Sequence, residues 1–183
     1  MNYVRTVLYA YPQLRGIENG YKDHISNQAI LSHDGRVATE KLMIYLMEET
    51  KRKEKVAELK SLVDRAIENL TLQEQLLLDT RYFGKADTVK RIFAAVKAGV
   101  SQGKYAKVKP WTRRTYFRRQ DKLLKKIAQR LTALGLTENT FLDEYAELDG
   151  VAEIYRYLEL RGDELTSKKE NALLDAFDEG GKS

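Results

Sequence analysis

The sequence from residue 109 to residue 126 reads KPWTRRTYFRRQDKLLKK, and it combines positive charge with regularly spaced apolar residues. Eight of these 18 residues are Lys or Arg and one is acidic. Thr112 is a suitable N-cap for a helix that begins near Arg113. Helical spacing places five residues on one face, namely Tyr116, Gln120, Leu123, Ile127 and Leu131. The opposite face holds Arg114, Arg118, Asp121, Lys122 and Lys125. The stretch therefore predicts an amphipathic helix with a basic outer face.

Two shorter helices are predicted just before this one. Thr71 and Glu74 have the spacing of a capping box, and Gly84 is a suitable stop for the helix that starts there. Asp87 is predicted to cap the next helix, which ends at Gly99. Residues 97–110 are polar, basic and glycine-containing, so they predict a loop, with residues 107–109 as a possible small hairpin strand.

The rest of the chain also shows helical periodicity, so the predicted fold class is all-α. An N-terminal region, 1–64, is expected to be a helical hairpin, with a helix over residues 12–31, a turn at 32–35 and one continuous helix from about residue 37 to 70. A three-helix module over 65–135 follows. An acidic helical region, 136–183, ends the chain and includes a short helix with Leu173, Leu174 and Phe177.

Charge is distributed very unevenly along the chain. Residues 1–83 contain 12 basic and 12 acidic side chains, residues 84–132 contain 15 and 2, and residues 133–183 contain 5 and 13. The net charges of 0, +13 and −8 add up to the +5 of the whole chain. Because so much positive charge repels itself, the middle segment favours a polyanionic partner, and double-stranded DNA is the expected one. A solvated basic helix face is the alternative.

The predicted arrangement suits a helix-turn-helix, in which the start of the third helix enters the major groove. Guanidinium groups can bind guanine or clamp phosphates, and lysines further along can contact the DNA backbone. The candidate DNA-binding residues are Thr112, Arg113, Arg114, Thr115, Arg118, Arg119, Lys122, Lys125, Lys126, Lys104, Lys107 and Lys109. Tyr116 and Phe117 are predicted to be core anchors rather than base-stacking residues. Trp111 is either a staple at the helix start or a contact with the DNA backbone.

Two of these motifs resemble region four of bacterial sigma factors. LTLQEQLLLDTRYFGK is similar to its opening helix, and WTRRTYFRRQDKLLKKIAQRL is similar to its recognition helix. The resemblance covers residues 65–132 and extends to phage late-transcription regulators of the ArpU/RinA type. It implies a sigma region-four-like helix-turn-helix protein of phage or prophage origin that regulates transcription. The loop over 97–110 replaces the usual tight turn, and residues 1–64 do not resemble the promoter-melting region of a full sigma factor.

Several classes of function have little support in the sequence. There are no cysteines, and the two histidines, His24 and His33, lie far from clustered acids, so no metal site is expected. Nucleotide-binding and nucleophile motifs are also missing, so we expect no catalytic residues, no cofactor and no enzymatic activity. The N-terminus resembles neither a signal peptide nor a membrane span, which favours a cytoplasmic location without membrane contact.

Two questions stay open at this level. A helix-turn-helix packaging factor, similar to a small terminase subunit, is the alternative to a transcription regulator; a ring of eight to twelve copies would favour packaging, and a monomer or dimer would favour regulation. The acidic region could complete the core, cover the basic helix, or dock RNA polymerase or a second protomer in a homo-oligomer.

Overall fold

The computed structural model describes residues 2–32, 39–101, 103–106, 108–109 and 111–161, and all regular structure in these ranges is helical. Seven α-helices and one 3₁₀ turn, Gly103–Tyr105, are present there, without a β-strand. The helices are α1 (Asn2–Ser32), α2 (Thr39–Ile67), α3 (Leu72–Arg81), α4 (Ala86–Lys97), α5 (Arg113–Ala133), α6 (Glu138–Glu144) and α7 (Val151–Arg161). The all-α prediction is confirmed. The predicted turn at 32–35 and the predicted helix with Leu173, Leu174 and Phe177 lie largely outside the described residues.

Helix α1 begins ten residues before the predicted start at Pro12. Its first turns carry a dense set of buried side chains at helical spacing: Tyr3, Val4, Val7, Leu8 and Ala10. Proline costs most inside a helix because it lacks an N–H group and crowds the preceding turn. The burial of these side chains outweighs that cost, and Pro12 itself lies on the exposed side of the helix. The predicted start at Pro12 was therefore wrong.

Helix α2 is continuous from Thr39 to Ile67, which confirms the prediction that the charged stretch ETKRKEK does not break it. Its second half supplies fully buried side chains at helical spacing: Val56, Leu59, Val63 and Ala66. The charged stretch contains neither Gly nor Pro, so nothing in it interrupts the hydrogen-bond ladder.

The chain divides into two compact units. The first combines Met1–Ala66 with Arg130–Leu160, so it joins the N-terminal helices to the described part of the acidic region. Tyr3 of α1 and Phe141 of α6 lie with ring centroids 6.0 Å apart, and Phe141 also contacts Tyr155 at 5.5 Å. Phe141 and Val151 are fully buried. Of the three roles considered for the acidic region, these residues support completion of a core.

Polar contacts link distant parts of the first unit. The Tyr21 hydroxyl donates a hydrogen bond to the Asp149 carboxylate at 2.8 Å, and Lys55 forms an ion pair with Glu144. Burial and the neighbouring Asp149 carboxylate raise the pKa of Tyr21 to about 12, so this hydroxyl stays a donor at neutral pH. The acidic segment is thus attached to α1 and α2 by charge as well as by apolar packing.

Candidate nucleic-acid interface

The second compact unit contains Ile67–Gln129 and therefore α3, α4 and most of α5. Helix α3 starts at the predicted capping box: the Thr71 hydroxyl accepts a hydrogen bond from the Glu74 amide, and the Glu74 carboxylate accepts one from the Thr71 amide at 2.9 Å. After the helix, Gly84 has a φ of +67°, a conformation that glycine adopts without strain. Both local signals were therefore interpreted correctly from the sequence.

Helix α4 starts at Ala86, and its N-cap is Lys85, whose side chain makes no capping hydrogen bond. The predicted N-cap, Asp87, lies inside the first turn instead, so this prediction was wrong. A carboxylate in the first turn is still favourable, because the helix dipole places partial positive charge there. The predicted apolar face is present, with Val89 and Phe93 buried.

Trp111 lies at the entrance to α5, and it is 3% exposed. Its ring contacts Phe93 of α4 edge-on, with centroids 4.9 Å apart, and lies 5.8 Å from the ring of Tyr116. With Thr112 as N-cap, Trp111 and Tyr116 occupy the positions of a hydrophobic staple. The staple is therefore the alternative that the structure supports for Trp111, and the residue joins α4 to the start of α5.

Helix α5 begins at Arg113, as predicted, and the Thr112 hydroxyl accepts a hydrogen bond from the Thr115 amide at 3.3 Å. The predicted inner face is buried throughout; no member is more than 5% exposed: Tyr116, Gln120, Leu123, Ile127 and Leu131. The Gln120 side-chain amide donates a hydrogen bond to the Tyr116 hydroxyl there, at 3.4 Å. One side of α5 is thus fixed in the core.

The opposite side of α5 presents four exposed cations, which we call the exposed row: Arg114, Arg118, Lys122 and Lys125. Their spacing of 4, 4 and 3 residues puts them on one face of a helix. From Arg114 to Lys125 the row extends for about 16 Å at 1.5 Å per residue. Asp121 is an exposed acid on the same face.

Two other predicted cations are turned toward α3 instead, and we call them the α3-facing pair. Arg119 donates a hydrogen bond to the side-chain oxygen of Gln73. Lys126 contacts both carboxylate oxygens of Glu74, at 2.8 and 2.9 Å. Burial raises the pKa of the Glu74 carboxyl, but the hydrogen bonds from Lys126 and Thr71 outweigh burial and hold the pKa below its usual range. This pair therefore contributes to the packing of α3 on α5.

The remaining predicted residues have various environments. Thr112 and Arg113 are exposed at the start of α5, while Thr115 is half-buried. Lys104 is exposed and lies 5.0 Å from the ring centroid of Tyr105, and Lys109 is exposed. Lys107 is outside the described residues, and the other two residues of the predicted hairpin strand, Val108 and Lys109, are described and have no regular structure. Most of the candidates thus lie on α5 or immediately before it.

Two features of this unit do not follow from the sequence motifs. Helix α4 carries exposed cations, Lys90, Arg91 and Lys97, which only the high charge of residues 84–132 indicated. Phe117 was predicted to be a core anchor, but it is 38% exposed, so that prediction was wrong. Helical spacing does not distinguish Phe117 from Leu124, which follows two turns later on the same side of α5 and is 4% exposed, so the difference arises from what packs beside each of them.

Other kinds of site have no counterpart in the parts of the chain that the structure describes. No three His, Asp or Glu side chains in these parts come together in a way that could hold a metal ion. Over the same residues, no helix has the length and apolar character needed to cross a membrane. Comparison of the chain with protein-family models, with curated proteins and with solved structures finds no match.

Proposed function

We propose that this protein binds duplex DNA as a transcription regulator, with α3, α4 and α5 forming a sigma region-four-like helix-turn-helix. In this proposal α5 is the recognition helix, and residues 98–112 take the place of the usual tight turn. Residues 136–160 of the acidic extension belong to the other compact unit, and the proposal gives them no part in DNA binding.

The exposed row is the single observation that carries the proposal. Four cations line one face of a helix whose opposite face is buried and whose start is fixed by the Thr112 cap and the Trp111 staple. A recognition helix needs this combination, because a rigid inner face holds the outer side chains in a constant register. A basic helix face without such support would attract phosphates but would not hold its side chains at fixed positions.

The dimensions of the exposed row also suit the major groove. An α-helix with side chains is about 10–12 Å wide, and the major groove of B-DNA is about 12 Å wide. The 16 Å length of the row corresponds to about five base pairs at 3.4 Å each. In this proposal Arg114 and Arg118, near the start of α5, contact base edges, and Lys122 and Lys125 contact phosphates further along.

The proposal is tested by selecting bound duplexes from a random DNA pool and measuring affinity for the selected sequence over a range of salt concentrations. We expect one enriched motif and a slope of about −4 to −7 in log affinity against log salt, as when five to eight phosphates are neutralised. Enrichment of no motif, with a steep salt slope, would reduce the function to nonspecific binding. A flat salt response would contradict DNA binding altogether.

A further inference from the structure

Phe117 is an aromatic side chain on the outside of α5, and the core does not explain it. Tyr116, one position earlier, is fully buried, whereas Phe117 keeps 38% of its surface exposed. The two rings meet edge-on, with centroids 5.4 Å apart and planes inclined by 78°. This contact holds the Phe117 ring against a rigid neighbour while much of the ring stays in contact with solvent. The ring is therefore oriented rather than free to rotate through many positions.

The helical neighbours of Phe117 on the exposed side are charged. Arg113 and Arg114 precede it by four and three residues, and Asp121 follows it by four residues. All three are exposed. The 38% of the Phe117 side chain that is exposed is available to an apolar group on a partner. That partner must at the same time suit a strongly basic surface.

Duplex DNA offers such a combination in its major groove. The phosphates attract the cations, and the 5-methyl group of thymine is the apolar feature that the groove presents among its hydrogen-bonding edges. Phenylalanine is one of the side chains that can contact this methyl group. Phe117 lies in the second turn of α5, three residues after Arg114, so the two side chains are neighbours on the helix surface.

We infer that Phe117 is a specificity-determining residue that contacts the 5-methyl group of a thymine in the major groove. The inference rests on the proposed function, because it requires α5 to enter the groove. It goes further by assigning one base type and one chemical group to one side chain. Arginines read guanine through hydrogen bonds, whereas this contact would read thymine through its methyl group alone.

The experiment uses the full-length protein and the duplex selected from the random pool. Each thymine of the selected duplex is replaced in turn by deoxyuridine, which lacks only the 5-methyl group and keeps the base-pairing edge. We expect one thymine at which the wild-type protein loses affinity about fourfold, which corresponds to about 0.8 kcal/mol for one buried methyl-sized group. Phe117→Ala should bind the thymine and deoxyuridine duplexes equally at that position.

Two further variants keep the experiment decisive. Phe117→Leu retains an apolar side chain and should keep part of the preference for thymine, which also covers the case in which Phe117→Ala folds poorly. Tyr157→Ala is the matched control, because Tyr157 is a similarly exposed aromatic residue, at 37%, on α7 of the other unit. This variant should keep the full wild-type preference. Circular dichroism melting curves establish that each variant is folded.

The outcomes separate this inference from the proposed function. Enrichment of a motif without thymine would overturn the inference and leave DNA recognition intact. The same holds if wild-type protein is insensitive to every deoxyuridine, or if Phe117→Ala retains the wild-type preference for thymine. If no motif is enriched and the salt response is flat, the proposed function itself fails, and the inference fails with it.

Discussion

Two edges of helix α5 carry the same kinds of side chain in different surroundings. The exposed row, Arg114, Arg118, Lys122 and Lys125, stays in solvent. The α3-facing pair is bound within the protein, Arg119 to Gln73 and Lys126 to Glu74. Both edges contain arginine and lysine, and both lie on a helix whose inner face is equally well buried. The difference is that α3 supplies hydrogen-bond acceptors, Gln73 and Glu74, to only one of the two edges.

The comparison distinguishes two environments of the positive charges on this helix. Glu74 already closes the capping box of α3, and Lys126 adds a partner for the same carboxylate, so the α3-facing pair supports the start of α3. Arg114 and Arg118, in contrast, are exposed. We therefore expect the α3-facing pair to influence stability and the exposed row to influence DNA binding.

The largest effect is expected from removing the Trp111 side chain, which packs at the start of α5 and so supports both edges of the helix. Trp111→Ala should lower the free energy of unfolding by about 3–5 kcal/mol, because it deletes a buried ring that packs on Phe93 and Tyr116. Urea denaturation measures the loss. Phe117→Ala is the control and should cost less, about 1–2 kcal/mol, since 38% of this side chain is already exposed. Equal losses for the two variants would contradict the assignment of Trp111 to the core.

The next largest effect is expected on DNA binding, which should depend on the exposed row and not on the α3-facing pair. Arg114→Ala or Arg118→Ala should weaken binding to the selected duplex by about 1–3 kcal/mol and relax discrimination at one base pair. Unfolding free energy should change by about 0.5 kcal/mol or less, because both side chains are exposed. Titration of the selected duplex and of single-base variants measures both parts of the expected result.

Lys125→Ala is the matched control for these arginine variants. It should weaken all duplexes about equally and reduce the magnitude of the salt slope by about 1, as expected for a phosphate contact. If Arg114, Arg118 and Lys125 variants all gave equal, sequence-independent losses, the exposed row would be a nonspecific basic face, and α5 would not be a recognition helix.

Much of this arrangement was predictable because its signals are local. The cap at Thr112, the capping box at Thr71 and Glu74, and the buried face of α5 all follow from residues within a few turns of each other. The contacts of the α3-facing pair were not predictable in the same way, since Arg119 and Gln73 are 46 residues apart in sequence. Sequence reasoning accordingly grouped Lys126 with Lys125.

The two wrong predictions about helix starts have a related cause. At Pro12 a strong local signal was overridden by the burial of several side chains that precede it. A carboxylate is favourable both at the N-cap and in the first turn, so the sequence could not show that Asp87 lies two positions after the N-cap of α4.

Phe117 was misplaced because it adjoins Tyr116, and only the packed helix shows which of the two rings is buried.

A smaller effect concerns the helix start that the α3-facing pair supports. Thr71→Ala should lower the free energy of unfolding by about 0.5–2 kcal/mol, because the Glu74 amide loses its capping acceptor. Thr71→Ser keeps the hydroxyl and should retain most of the stability. Chemical denaturation of the three proteins measures the difference. Equal stability of the Ala and Ser variants would show that the cap contributes nothing measurable.

The smallest expected effect tests the ion pair between Lys126 and Glu74 itself. Glu74→Gln keeps a residue suited to the capping box but removes the charge, so it isolates the electrostatic contribution. In a double-mutant cycle with Lys126→Met at pH 7, we expect a coupling of about 0.2–1 kcal/mol, because both side chains are partly exposed. Lys125→Met, on the exposed row, should show no coupling with Glu74→Gln.

The pH dependence of this coupling has a definite sign. The folded protein holds the pKa of Glu74 below its ordinary value of 4.5, so the native state favours the ionised carboxylate more than the unfolded chain does. The stabilisation is therefore complete well above pH 4.5 and is lost as the pH falls through the lowered folded pKa. The stability difference between wild type and Glu74→Gln should accordingly shrink as the pH is lowered from 5 toward 3. A difference that stays constant over this range, or a coupling equal for Lys125 and Lys126, would remove the distinction between the two edges of α5.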